Sequence, residues 1–348
     1  MIITGLLVGL ALGFVFQRGR FCVTGAFRDI FIAGSTRWFS AFILLIAVHA
    51  VGLMALNTLG IITLETDPFP WLASIVGGFI FGFAIILAGG CATGTYYRSG
   101  EGLIGSWFAL IFYALFSAIM KAGPAAGFTE WIRGITLEQG SLPATFGLSP
   151  WVFAVVLAAI AAALVVHHQR KAKAPLAALP SRRTGLAHLL TEKRWNPFAT
   201  AAVIGIIATI AWPLSAATGR NAGLGITTPS SNLVQYLTTG DADLIDWGVM
   251  LILGILTGSF IAAKASGEFR LRVPDAPTVL KSIGGGALMG VGAAIAGGCT
   301  VGNAMVETAQ FSYQGWVSLI FMMLGTGLAA KLTIRPATAS APAARVSA

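Results

Sequence analysis

Charged residues are scarce in this sequence: Asp, Glu, Lys and Arg make up only 10% of its 348 residues, and 56% are hydrophobic. Soluble domains ordinarily have about 25% charged residues, which excludes a water-soluble globule. Alternation of apolar and polar residues is also missing, and this excludes a membrane β-barrel. Unbroken apolar runs recur instead, of a length that crosses a hydrocarbon core of about 30 Å as a helix. The sequence therefore predicts an all-α polytopic membrane protein embedded in a lipid bilayer.

Cysteine and histidine are also few, with three Cys and four His in the whole chain. They form no CxxC pair and no Cys/His cluster, so we expect no disulfide framework, no metal site and no cofactor. The net charge of +9 does not indicate nucleic-acid binding, because Lys and Arg flanking membrane spans mark the cytoplasmic loops.

Apolar runs predict nine spans. Nineteen of the 22 basic residues fall in loops on one side of these spans, and the other three are Lys121, Arg133 and Arg220. Because basic loops stay in the cytoplasm, this asymmetry predicts an N-terminus outside and a C-terminus in the cytoplasm. The predicted spans are Ile2 to Phe16, Phe39 to Leu59, Trp71 to Ala88, Leu103 to Met120, Pro150 to Val166, Ala199 to Ala217, Trp247 to Ala263, Val279 to Ala296 and Trp316 to Leu332.

An internal repeat relates the two halves of the chain. The run Ala88-Gly89-Gly90-Cys91 recurs 208 residues later as Ala296-Gly297-Gly298-Cys299, and Gly19-Arg20 recurs as Gly219-Arg220. Since one unpaired span separates two four-span units, the units must cross the membrane in opposite directions, an arrangement from which many transporters build a central site. We divide the chain into a first repeat (1–123), a linker span with a basic cytoplasmic loop (124–196), a second, inverted repeat (197–335) and a tail (336–348) expected to be disordered.

Each cysteine opens the pattern C-x-x-G, as in Cys91-Ala92-Thr93-Gly94. The glycine pairs before Cys91 and Cys299 permit a sharp reversal at the end of a helix, so we expect helix breaks and short re-entrant helices there. A short helix starting at such a cysteine would direct its N–H groups at an anion. The candidate translocation residues are Cys22, Cys91, Cys299, Arg20, Thr24, Gly89, Gly90, Thr93, Gly297, Gly298, Thr300 and Arg220, with no catalytic and no metal-binding residue.

Three thiols favour a large, soft substrate atom, and therefore a sulfur- or selenium-containing anion rather than a hard oxoanion. Two alternatives remain. A membrane sulfurtransferase would hold a persulfide on a cysteine, but no base lies near the cysteines in sequence. A Cu(I) transporter would also use thiols, but the Met residues are scattered and His49 is the one histidine inside a predicted span.

The paired A-G-G-C-x-x-G elements, the G-R-F-C-x-T-G element at Gly19 to Gly25 and the nine-span repeat resemble the YeeE/YedE sulfur-transport family. The resemblance covers nearly the whole chain except the linker and tail. It implies an hourglass-like protein of the bacterial inner membrane that takes up thiosulfate, not an enzyme. It also implies that Cys22, Cys91 and Cys299 pass the anion along by transient S–H···S hydrogen bonds, and that a cytoplasmic TusA-like sulfur carrier is a partner. Other members are linked to selenium or to undefined sulfur compounds.

Overall fold

A computed structural model describes residues 2–65, 67–171, 184–193 and 195–334. Within these ranges the chain is helical, without strands, and nine segments are long and apolar enough to cross a membrane. The predicted all-α polytopic fold and its nine spans are confirmed. The predicted tail and the middle of the basic loop lie outside the described residues.

The first half contains six helices: Ile3–Gly19 (α1), Val23–Ile32 (α2), Arg37–Thr58 (α3), Trp71–Leu87 (α4), Ala92–Gly100 (α5) and Ile104–Lys121 (α6). The pairs α1/α2 and α4/α5 each follow one another so closely that they form single segments of 30 residues, Ile3–Ile32 and Trp71–Gly100. The middle part has two short helices that the apolar runs do not predict, followed by the fifth span. These helices are Ala126–Arg133 (α7), Leu142–Phe146 (α8) and Pro150–Arg170 (α9).

The second half follows a short turn in the basic loop, Gly185–Ala187 (α10), which continues as a π-helical turn at His188–Glu192. Its helices are Pro197–Ala216 (α11), Thr227–Thr239 (α12), Trp247–Ala265 (α13), Ala276–Ala296 (α14) and Tyr313–Thr333 (α15). Two irregular segments interrupt the series: the 3₁₀ turn Ala242–Leu244 before α13 and the π-helical segment Gly302–Glu307 between α14 and α15.

Glycine faces bring the helix backbones into direct contact. A Cβ atom at Gly9 of α1 would overlap the carbonyl oxygen of Leu251 in α13, and one at Gly82 of α4 would overlap that of Met322 in α15. Between helices in lipid, small residues give close van der Waals packing, which drives association where the hydrophobic effect does not. Close backbone contact at these glycines therefore holds the long helices together.

The helices α4 and α14 pack antiparallel through a reciprocal pair of contacts. Gly77 lies against Ala296, and Gly285 lies against Ala88. At the spacing of 208 residues that separates the matching motifs, each of these contacts is the counterpart of the other. A twofold relationship about an axis in the membrane plane would produce this arrangement.

The two ends of the helix bundle have different basic residues. Gly19, at the end of α1, contacts Thr200 near the start of α11, so α1 and α11 run in opposite directions. Arg20 follows α1 and Arg220 follows α11, and they therefore lie at opposite ends. We refer to these ends as the Arg20 face and the Arg220 face.

Candidate functional site

Cys22 and Cys91 each occupy the residue directly before a short helix at the Arg20 face. Gly89, with φ +73°, reverses the chain after α4, and Cys91 precedes α5 in an extended conformation. Cys22 precedes α2 and follows Arg20, which has the left-handed φ of +48° at the end of α1. Such left-handed residues end helices because they satisfy the last carbonyl groups.

The thiols of Cys22 and Cys91 are direct neighbours. They lie within interaction distance of each other, and a Cβ atom at Gly94 would lie 3.6 Å from Sγ of Cys22 and 3.7 Å from Sγ of Cys91. The side chain of Thr300, from the second half, also reaches the Cys91 thiol. The fold therefore combines elements of both halves around Cys91.

Cys299 is fully buried at the second helix break. Gly297, with φ +82°, ends α14, and the amide of Val301 donates to Sγ of Cys299 over 3.4 Å. The hydroxyl of Tyr113, on α6, also lies within interaction distance of this thiol. The side-chain amide of Asn303 spans the break by donating to the carbonyls of Ala296 and Gly298 at 2.9 and 3.0 Å.

Three candidate threonines have buried hydroxyl groups that hydrogen-bond to no nitrogen or oxygen among the described residues. They are Thr24 and Thr93, each two residues after a cysteine, and Thr300, directly after Cys299. The hydroxyl of Thr24 faces the Cys22 thiol as that of Thr300 faces Cys91. A buried unpaired hydroxyl costs about 1–3 kcal/mol, so these groups are retained at an expense in stability.

A polar cavity of about 220 Å³ opens at the Arg20 face. Its charged lining includes Arg20, Arg28, Asp29 and Arg98, and Cys22 and Gly89 also contact it. Outside the lining, Glu268 lies 3.3 Å from the half-exposed Arg20. The predicted residues Cys22, Arg20, Thr24 and Gly89 therefore share one basic mouth.

A second polar cavity, of about 280 Å³, lies at the Arg220 face, and we name it the outer pocket. Gly297 and Gly298 of the second break line it, so it reaches the residue before Cys299. Arg220 also lines it and is held in place, since Nη1 donates to Ser215 Oγ and to the carbonyls of Ala222 and Gly223.

A small cavity of about 20 Å³ is lined by residues that follow both helix breaks. Cys91, Thr93 and Thr300 line it together with apolar side chains that include Phe42 and Met305. This space accommodates about one water molecule. The described structure is therefore closed at this point, and a polyatomic anion would need side-chain movement to pass it.

Arg98 is a site residue that the sequence motifs do not identify. Its Nη1 donates to the carbonyl of Gly89, its Nη2 lies 3.8 Å from Sγ of Cys22, and it lines the mouth at the Arg20 face. The sequence signal that could have identified Arg98 is its spacing from Cys91. Residues seven positions apart lie on the same side of a helix, two turns from each other.

Arg133 is a second unpredicted residue, and it occupies the other break. Its guanidinium lies against Gly297 and donates to the carbonyl of Ile295 over 3.3 Å and to Oε1 of Gln314 over 3.4 Å. It comes from α7, in the part of the chain predicted as a linker. No local spacing relates Arg133 to the cysteine motifs.

Comparison with known proteins gives matches along most of the chain. Residues 18–328 match a family described as sulphur transport. The thiosulfate transporter TsuA of Escherichia coli K12 is 53% identical over 97% of this chain and 96% of its own length. A thiosulfate transporter TsuA of Spirochaeta thermophila is 33% identical over 96% of this chain and 100% of its own length. The probable transporter YedE of E. coli K12 is 32% identical over 46% of this chain and 39% of its own length.

Proposed function

The chain belongs to the sulphur transport family, and from this premise we propose that it takes up thiosulfate across the bacterial inner membrane. The full-length likeness to two thiosulfate transporters supports this substrate. One structural observation carries the proposal: the adjacent thiols of Cys22 and Cys91, with Thr300 beside them, lie between two polar cavities at opposite faces.

In this proposal thiosulfate enters the outer pocket by Arg220, passes the break at Gly297 and Gly298, and meets Cys299, then Cys91, then Cys22. It leaves through the basic mouth at Arg20. Each thiol donates an S–H hydrogen bond to the sulfane sulfur, and no covalent bond forms or breaks. Neutral thiols suit this role because thiolates would repel a dianion.

The unpaired hydroxyl groups supply the remaining donors. A dianion leaving water needs hydrogen bonds to its sulfonate oxygens. The hydroxyls of Thr24, Thr93 and Thr300 are buried beside the thiols and have no nitrogen or oxygen partner among the described residues. Weak donors at successive sites allow release as well as binding, a condition shared with multi-ion channels.

The orientation and the inverted repeat belong to the same proposal. The Arg20 face is cytoplasmic and the Arg220 face is outside, as the distribution of basic residues favours. The repeats occupy residues 1–123 and 197–335, joined by the span and loop of 124–196. The reciprocal contacts of Gly77 with Ala296 and Gly285 with Ala88 support the inverted relationship.

A TusA-like sulfur carrier is the proposed cytoplasmic partner, as the family resemblance implies. A carrier that accepts thiosulfate on leaving the basic mouth would keep the free concentration low and draw uptake forward. The cations Arg20 and Arg28 at this mouth would attract an acidic docking surface.

The test is uptake of radiolabelled thiosulfate into proteoliposomes containing the purified protein. We expect saturable uptake that excess sulfate does not inhibit and that Cys91→Ala abolishes. Cys91→Ser is the matched variant, since it keeps a small hydrogen-bond donor but removes the soft sulfur, and it should retain only a small part of the activity.

Two results would contradict the proposal. Full uptake by Cys91→Ala would exclude the thiol relay while leaving thiosulfate as the substrate. Absence of uptake by a well-folded protein, with the carrier present as well as absent, would assign another sulfur or selenium anion.

A further inference from the structure

The outer pocket contains carboxylate groups although its proposed substrate is a dianion. Glu65, Asp67 and Glu307 line the same cavity as Arg220. Glu65 and Asp67 are exposed, whereas Glu307 is partly buried. An ionised carboxylate repels thiosulfate more strongly where water screens it less, so Glu307 is the main obstacle to entry.

Glu307 ends the π-helical segment that follows the second break. Nearby charged side chains are Arg133 of α7 and Asp67 of the loop before α4, and Ser312, at the start of α15, is a hydrogen-bonding neighbour. The segment also packs against α3, whose buried titratable residue, His49, lies beside Trp212 with the rings tilted and their centres 6.5 Å apart.

The cations of this region are fixed in place. Arg220 has three hydrogen-bond acceptors around Nη1, and Arg133 donates to a backbone carbonyl and to Gln314. The remaining cation, Lys121 at the end of α6, donates to Thr228, which also lines the pocket. Because arginine keeps its charge in proteins, the charge of the pocket changes mainly through its carboxylates.

We propose that the outer pocket binds thiosulfate together with one proton, and that Glu307 takes up this proton. This inference rests on the proposed function and extends it from the substrate to the charge state of the site. The proton comes from the buffered solvent at the Arg220 face, whose acid component releases it, and bonds to a carboxylate oxygen of Glu307, while thiosulfate itself stays unchanged. Once Glu307 is neutral, it no longer offsets the positive charge of Arg133, and this charge attracts the dianion.

The surroundings of Glu307 favour the proton. Burial raises the pKa of this carboxyl, and the neighbouring Asp67 raises it further, while Ser312 and Arg133 lower it. A bound dianion raises the pKa again. Binding therefore takes up a proton in the pH range between the pKa of Glu307 in the free protein and its pKa with thiosulfate bound. Affinity strengthens as pH falls through this range and weakens as pH rises.

The closing experiment is isothermal titration of purified full-length protein with sodium thiosulfate. It is run across neutral pH and in two buffers of different ionisation enthalpy, which gives the number of protons taken up. For the unchanged protein we expect a count approaching one, and a Kd that weakens by about tenfold per pH unit between the two pKa values.

Glu307→Gln should bind thiosulfate with no proton uptake and with a Kd that does not change with pH. Asp67→Asn and Glu65→Gln are matched controls from the same pocket and should keep the proton uptake. Glu307→Asp retains a carboxyl and should keep it with a shifted pH range. The proton count of the unchanged protein tests the inference even if the Gln variant does not fold.

The outcomes separate the inference from the function on which it rests. Binding without proton uptake by the unchanged protein would overturn the inference and leave thiosulfate transport intact. Proton uptake that disappears in Asp67→Asn and persists in Glu307→Gln would overturn the assignment to Glu307. Absence of both thiosulfate binding and uptake at every pH would overturn the proposed function itself.

Discussion

The guanidinium of Arg98 lies 3.8 Å from the thiol sulfur of Cys22 and also donates to the carbonyl of Gly89. One side chain thus joins the break after α4 to the thiol at the start of α2. A cation at the end of a helix stabilises its unpaired carbonyl groups. The position of Arg98 at the basic mouth would also allow it to attract the anion that leaves Cys22 on the proposed route.

Replacement of Arg98 tests this double contact. We expect Arg98→Gln to lower thiosulfate uptake by about tenfold, since hydrogen bonds from charged groups contribute about 1.5–3 kcal/mol. Arg98→Lys keeps the charge without the forked geometry and should restore part of the activity. Uptake and melting temperature are measured together. Equal loss of uptake in both variants with a large fall in melting temperature would indicate a purely structural contact.

The space between the first two thiols gives a second prediction. A Cβ atom at Gly94 would make ordinary van der Waals contact with both sulfurs, at 3.6 and 3.7 Å. Gly94→Ala should therefore fold, with a gain in helix stability of about 0.5–1 kcal/mol, but it should slow uptake several-fold by occupying the route between Cys22 and Cys91.

Gly302 provides the matched control for this change. It is the counterpart of Gly94 in the second C-x-x-G element, and a Cβ atom there would have no neighbour within 4 Å. Gly302 also lines the outer pocket, but Gly302→Ala leaves the space between the two thiols open and should slow uptake less than Gly94→Ala does. Normal uptake by Gly94→Ala would show that thiosulfate does not pass between these two thiols.

Much of the fold follows from sequence because its signals are local. Apolar length predicts the spans, and the paired glycines mark chain reversals, which the left-handed Gly89 and Gly297 make. The roles assigned to Cys22, Cys91 and Cys299 stay predictions, although the structure places two of these thiols together.

The remaining features depend on tertiary contacts that local patterns do not encode. Arg133 reaches Gly297 from a short helix that is neither apolar nor part of the predicted repeat, and Glu268 reaches Arg20 from the loop after α13. The carboxylates of the outer pocket come from separate segments, so their meeting with Arg220 has no signature in sequence spacing.

Thr93 and Thr95 give opposite predictions on one helix. The Thr93 hydroxyl is buried without a partner among the described residues, whereas that of Thr95 donates to the carbonyl of Ala92 over 2.7 Å. Thr93→Val should keep or raise the melting temperature, because it removes an unpaired polar group, and should lower uptake several-fold.

Thr95→Val should do the reverse, with a loss of about 1 kcal/mol in stability and little change in uptake. Thermal denaturation and proteoliposome uptake, measured for both variants, test these two predictions. Unchanged uptake by Thr93→Val would remove its hydroxyl from the proposed route.

Two neighbouring glycines of α14 differ in how closely another helix approaches them. A Cβ atom at Gly286 would overlap the carbonyl oxygen of Ala109 in α6, and the Cα of that residue would be 2.9 Å away. Backbone atoms cannot yield as a flexible side chain can, so Gly286→Ala must push α14 away from α6 at a cost of about 1–3 kcal/mol. Gly284, in the same helix, has no atom within 4 Å of such a Cβ, and Gly284→Ala should be neutral or slightly stabilising. Melting temperatures in detergent compare the two, and equal values would contradict direct backbone contact between α6 and α14.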